Sequence, residues 1–191
     1  MPVFPAVYHG AIAMYGGYAT LDGIPPWDPL WPDAERWTEE KPWEALFPDQ
    51  FPVEVARDVV WGLQPTVHNF KIEDATEARY RPFYDFMIAT ARFYHANRDL
   101  LFDGEMLSPG RLACARQEVE FLQRGIYTKK GEYGVGRHEL PTVFHSVWRA
   151  PSGRVAAVLV NWSRAPQHYK LQSEDVSSEG EIPARTWRVV Q

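Results

Sequence analysis

The chain is poor in the features that would assign it quickly. Cys114 is the only cysteine among 191 residues, so no intrachain disulfide forms, and no Cys/His cluster has the spacing of a structural zinc site. No stretch approaches the ~18 consecutive apolar residues of a membrane span. Long basic runs are missing and the formal net charge is −5, which argues against a protein held to nucleic acid by phosphate contacts. The opening residues, Met1-Pro2-Val3-Phe4-Pro5, lack the basic and apolar regions of a signal peptide. A soluble chain, cytoplasmic by default, is the expectation. H-E-x-x-H and EF-hand patterns do not occur, so a metal has no support. G-x-G-x-x-G, the P-loop pattern and the serine elbow G-x-S-x-G are also missing. Gly134-Val135-Gly136 precedes a β-rich zone and opens no helix. No cofactor is expected.

The sequence is rich in aromatic residues. They make up 14% of it and include 8 Trp, within an otherwise ordinary globular composition of 45% hydrophobic and 24% charged residues. Large rings fill cores. They also wall sugar clefts, because pyranose C–H faces are apolar while the hydroxyls need polar neighbours.

Three zones follow along the chain. In the first, Pro2–His9 reads as a short strand and Gly10–Tyr18 as a weak helix. Leu21–Pro48 reads as a long ordered loop, because prolines at 25, 26, 29, 32, 42 and 48 fix φ and remove donors beside Trp27, Trp31, Trp37 and Trp43. In the second zone, Pro52–Trp61 has the Pro-at-start, Gly-after-end signature of a helix. Gln64–Phe70 reads as a strand, Arg81–Leu101 as the clearest helix, and Leu112–Phe121 as a further short helix. The third zone, from about 125, is β: Thr142–Trp148 and Arg154–Asn161 form a hairpin around Arg149–Gly153, followed by strands at His168–Leu171 and Thr186–Val190. The glycines within Gly125–Pro141 suggest a linker.

The order strand, helix, strand, helix predicts neighbouring parallel strands with helices outside. The expected architecture is therefore α/β followed by all-β. Residues 1–124 would supply the last two or so βα units of a (β/α)8 barrel, and residues 125–191 a small antiparallel β-sandwich. A whole barrel needs ~250 residues, so the chain would begin mid-barrel, with the missing N-terminal half of its own barrel as a partner.

Three pieces resemble the C-terminal part of glycoside-hydrolase-like barrel proteins, a family that is largely uncharacterised. Phe4-Pro5-Ala6-Val7-Tyr8-His9-Gly10 is similar to a late barrel strand, and Trp61-Gly62-Leu63-Gln64-Pro65 to the segment leading into the last strand. Asp103-Gly104-Glu105-Met106-Leu107, followed by Ser146-Val147-Trp148-Arg149 and Val158-Leu159-Val160-Asn161-Trp162, is similar to the accessory sandwich. The resemblance implies a carbohydrate-active protein, with hydrolysis of O-glycosyl bonds as the inherited chemistry and an oligosaccharide or glycoside as substrate.

Glycosidic hydrolysis uses two carboxyl groups, and barrel sites lie at the C-terminal ends of strands. Neither expected strand ends in a carboxylate. The nearest are Asp22 and Asp28, in the Trp-bearing loop, and the catalytic acids stay unassigned. The expected substrate-binding residues are Tyr8 and His9 after the first strand, His68 and Asn69 after the second, Tyr15, and Trp27 and Trp31 as stacking platforms. Glu105, Cys114, His145 and Trp148 read as structural, and Glu35, Glu39, Glu40 and Glu44 as a solvated acidic face. The alternative to a glycosidase fragment is a non-catalytic carbohydrate-binding or interaction module.

Overall fold

Residues Val155–Asn161 are apolar at every position but the last, the pattern of a strand covered on both faces. In the computed structural model this strand is the middle of the fold. The structure describes residues 2–17, 19–20, 42–68, 75–123 and 134–191, without the side chains of Thr20, Trp43 and His68. In chain order the elements are α1 (Val3–Tyr8), β1 (Ala19–Thr20), α2 (Trp43–Leu46), α3 (Gln50–Val60), β2 (Val67–His68), α4 (Arg81–Ala96), α5 (Arg98–Leu101), β3 (Glu105–Leu107), β4 (Arg111–Cys114), β5 (Arg116–Gln123), β6 (Gly134–Pro141), β7 (Val143–Arg149), β8 (Val155–Asn161), β9 (Gln167–Gln172), β10 (Ser177–Ile182) and β11 (Thr186–Val190).

Strands β11-β8-β7-β3 form a four-stranded antiparallel sheet, and β10-β9-β4 a three-stranded one. Side chains alternate across a strand, so β7 and β8 feed two cores at once. Val143, Val147, Ala157 and Leu159 pack against Tyr169, Leu171 and Ile182 of the second sheet. On the opposite face Trp148, Ala156, Val158, Val160 and Trp187 meet Val53, Ala56, Val59 and Val60 of α3 and Phe83 and Phe86 of α4. The result is three layers: helices, a central sheet and an outer sheet. The helix layer is also tied by a polar contact, because the buried Trp187 indole N–H donates to Thr90 Oγ1 at 2.9 Å while Phe93 stacks on the same ring at 5.1 Å.

The end of β8 is held by Asn161, which is fully buried. Its amide donates to the carbonyls of Ala165 (2.8 Å), Ile182 (3.1 Å) and Pro183 (3.0 Å), and its Oδ1 accepts from the Ser163 N–H and hydroxyl. The β5–β6 hairpin leans on the start of α3. There the Leu122 N–H donates to Gln50 Oε1 at 2.8 Å and Gln117 Nε2 donates to Asp49 Oδ2 at 3.2 Å. Asp49 Oδ1 also accepts from Arg164 Nε (3.1 Å) and Arg185 Nη2 (3.2 Å), which fastens the same corner to the sandwich.

The expected partial (β/α)8 barrel is overturned: most of the regular structure in the described chain is strand in antiparallel sheets. Among the described residues parallel pairing is confined to Ala19–Thr20 with Val67–His68 and to isolated bridges, one of them Tyr15 with Gln64. The segment expected as the first barrel strand is helix α1, with Pro5 in its first turn, where a missing N–H costs nothing. The apolar faces of α3 and α4 are spent on the sandwich, so none remains to cover a ring of parallel strands.

Leu112–Phe121, expected as helix, lies in β4 and β5. Its good helix formers are overridden by pairing with β9 and β6. The long helix expected over 81–101 breaks at Asn97 into α4 and α5. The hairpin of β7 and β8 stands where the sequence places it. Of the Gly125–Pro141 stretch, residues 125–133 lie outside the described residues and 134–141 are strand β6. Among the described residues no helix is long and apolar enough to cross a membrane.

Candidate functional site

Helix α3 stops abruptly, and the way it stops builds a site. Gly62 takes φ +76°, its N–H donates to Val59 O at 2.9 Å, and the Leu63 N–H donates back to Asp58 O at 3.0 Å. This paired closure satisfies carbonyls of the last turn and needs a residue without Cβ at the left-handed position. It leaves Trp61 half-buried at the helix exit. Arg57 lies one turn earlier on the same face, with its guanidinium carbon 5.2 Å from the indole centroid.

Across from this pair stand the β5–β6 hairpin and the start of β7. Between them is a cavity of about 560 Å³, within the range of ligand pockets, ~300–1,000 Å³. Val53, Arg57, Val60 and Trp61 form the helix wall, Arg116, Phe121, His138 and Leu140 the hairpin wall, and Val143, Phe144 and His145 the strand wall. A second cavity of about 350 Å³ shares Val60, Trp61 and His145 and runs on past Pro2, Met106 and Ser146. Trp61 and His145 therefore stand where the two spaces meet.

The ionisable groups here are Arg and His, and among the described residues no Asp or Glu lines either space. His145 Nε2 donates to Pro109 O at 3.0 Å, which leaves Nδ1 as an acceptor. Burial lowers the pKa of His145, against the Pro109 hydrogen bond, so the ring is neutral at pH 7. Arg116 is committed to Glu139, with Nη2 donating to its carbonyl at 2.6 Å and Nε 3.4 Å from its carboxylate. Arg57 is less engaged: its Nε is buried without a hydrogen-bond partner, and Asp58 Oδ1 stands 3.8 Å away.

Just behind Arg57, Asp58 is 3% exposed and accepts the Gly17 N–H at 2.7 Å. Burial pushes its carboxyl up to about 6, opposed by Arg57 and by the Gly17 hydrogen bond. Glu54, one turn earlier, is also raised by burial, opposed by its hydrogen bond from Gln50. Neither carboxyl lines the cavities.

The residues expected as a sugar site are not assembled at this one. Tyr8 and Tyr15 are 46% and 67% exposed and line neither cavity. His9 closes α1 and ties it to the α5–β3 corner. Its Nδ1 lies 2.8 Å from Gly104 O, its Nε2 2.8 Å from Leu101 O, and its ring 4.5 Å from Trp148. His68 is in β2 opposite Thr20, while Asn69, Asp22, Asp28, Trp27 and Trp31 lie outside the described residues.

Glu105 pairs with Arg149 at 2.9 Å, and Trp148 is core, its indole N–H donating to Ser146 Oγ at 2.7 Å. The half-buried Cys114 meets Val143 O through its Sγ. Glu35, Glu39 and Glu40 are outside the described residues, but Glu44 is buried, 3.6 Å from Arg79. Among the described residues no cluster of His, Cys, Asp and Glu could hold a metal ion.

Arg57, Trp61, Phe121, His138, Phe144 and His145 are the groups that sequence reasoning did not bring together. The i,i+4 spacing of Arg57 and Trp61 at a helix end was the one local signal; the rest come from strands that only the tertiary fold places opposite α3. No protein-family model, curated protein or solved structure matches this chain.

Proposed function

We propose that this chain is a non-catalytic carbohydrate-binding module whose ligand occupies the cavity between α3 and the β5–β6 hairpin. The observation that carries the reading is the lining of that cavity: Trp61, Phe121 and Phe144 offer apolar ring surface, with Arg57, His138 and His145 among them as hydrogen-bonding groups. A sugar needs both, since its C–H faces pack on rings while its hydroxyls need donors and acceptors. His145 is suited to a hydroxyl, because its Nε2 is taken by Pro109 and its Nδ1 accepts. Binding is favoured over hydrolysis because glycosidic cleavage places two carboxyl groups ~5–9.5 Å apart across the bond, and among the described residues no Asp or Glu lines either cavity.

The test is a titration of the full chain with a panel of neutral and acidic mono- and oligosaccharides, followed by calorimetry and by saturation transfer to ligand protons. Saturable binding that disappears in Trp61→Ala, with the fold intact by circular dichroism, is the expected result. No binding across the panel, or Trp61→Ala binding as well as the parent, overturns the reading.

A further inference from the structure

We infer that the cavity beside α3 selects an acidic sugar, one carrying a carboxylate of the uronate type, and that Arg57 is the group that reads it. This rests on the carbohydrate reading above and adds the charge of the ligand.

The chain as a whole is acidic, with 25 Asp and Glu against 20 Lys and Arg. The larger cavity reverses that balance: among the described residues its ionisable lining consists of Arg57, Arg116, His138 and His145, with no acid. An anion entering it meets no like charge on the described walls, and the apolar remainder of the lining weakens the screening that water would give.

The four basic groups are not equivalent. Arg116 has its guanidinium on Glu139. The lowered pKa of His145 keeps it neutral, with Nε2 already donated. His138 lies edge-on to Phe121, with ring centroids 5.8 Å apart. Arg57 has donor capacity to spare at the exposed end of its guanidinium: its Nε is buried, but its side chain is 42% exposed, and Asp58, the acid that pairs with it among the described residues, is 3.8 Å from Nε, beyond hydrogen-bond reach. A planar guanidinium matches a carboxylate through two parallel N–H···O bonds, which a hydroxyl cannot replace. Its guanidinium carbon stands 5.2 Å from the Trp61 ring centroid, so the charge and the aromatic surface are neighbours in the cavity wall. The carboxylate and the ring of one uronate residue thus find their partners on adjacent turns of one helix.

The experiment compares matched pairs, glucose with glucuronate and galactose with galacturonate, binding to the full chain by calorimetry at low salt. The expected result is uronate binding about tenfold tighter than the neutral parent, the size of one charge-assisted hydrogen-bonded contact. In Arg57→Gln the ratio of uronate to neutral-sugar affinity falls below about twofold, whatever that variant costs neutral-sugar binding, and Arg57→Lys retains part of the preference. Thermal unfolding of both variants checks that they are folded. Equal binding of acidic and neutral partners overturns the charge inference and leaves the carbohydrate reading standing, whereas binding of neither overturns that reading itself. A uronate preference undiminished in Arg57→Gln removes Arg57 from the role.

Discussion

Replacing Asp58 by Asn should stabilise the protein at neutral and alkaline pH but much less in acid. The carboxyl is 3% exposed and has a pKa of about 6 against an ordinary value of 3.8. A folded-state pKa raised above the unfolded one means that the folded state holds its proton more tightly. The favourable contribution is complete below pH 3.8 and is lost as pH rises through about 6. At about 1.36 kcal/mol for each pKa unit, the full effect is roughly 3 kcal/mol, which residual solvation around the Arg57–Asp58 pair reduces to about 1–2 kcal/mol. Asn keeps an oxygen for the Gly17 N–H, 2.7 Å away in the parent, and never ionises.

Urea unfolding of parent and variant at pH 4 and pH 8 isolates this group, because the other titrations cancel in the difference. The stability advantage of Asp58→Asn should grow by about 1–2 kcal/mol between the two pH values, worth several degrees in Tm for a chain of this size. An advantage that is flat or shrinking from pH 4 to pH 8 would refute the assignment of Asp58 as a carboxylate ionised against its surroundings.

Gly62→Ala should cost about 2 kcal/mol or more in urea unfolding, because φ is +76° and a Cβ there meets the His9 ring and Trp148. The same variant should also weaken any ligand bound beside Trp61, read by calorimetry, since the helix exit would have to shift. Trp187→Phe should cost about 1–3 kcal/mol through loss of the buried bond to Thr90 Oγ1 and of ring volume, with no change in the cavity, which Trp187 does not line.

How much was legible in the sequence follows from where each signal lives. The β7–β8 hairpin was visible because Val143–Arg149 and Val155–Asn161 are β-branched and flank a Pro-Ser-Gly turn, all of it local. Helix α3 was visible through its proline start and Gly62 stop. Residues 3–8 misled because a short apolar run reads equally as strand or helix, and the segment folds as helix α1. β4 and β5 were hidden because Glu, Gln, Arg and Leu favour helix locally, whereas β9 and β6, far along the chain, supply the ladders that win. The site was the least legible. Arg57 and Trp61 share one helix, but Phe121, His138 and His145 reach them only through the folding of three strands.

Strand β8 is apolar on both faces, so its own alternation does not say which side belongs to which core, and a slip by one residue would exchange two nearly equivalent faces. Asn161 breaks that degeneracy. Its amide is satisfied by carbonyls of Ala165, Ile182 and Pro183, and a displaced strand would carry it to the helix side, away from all three. A single polar side chain thus acts as the index mark of the central strand. Its main contribution is fidelity: it keeps Ala156, Val158 and Val160 turned toward the helices and Ala157 and Leu159 toward the outer sheet.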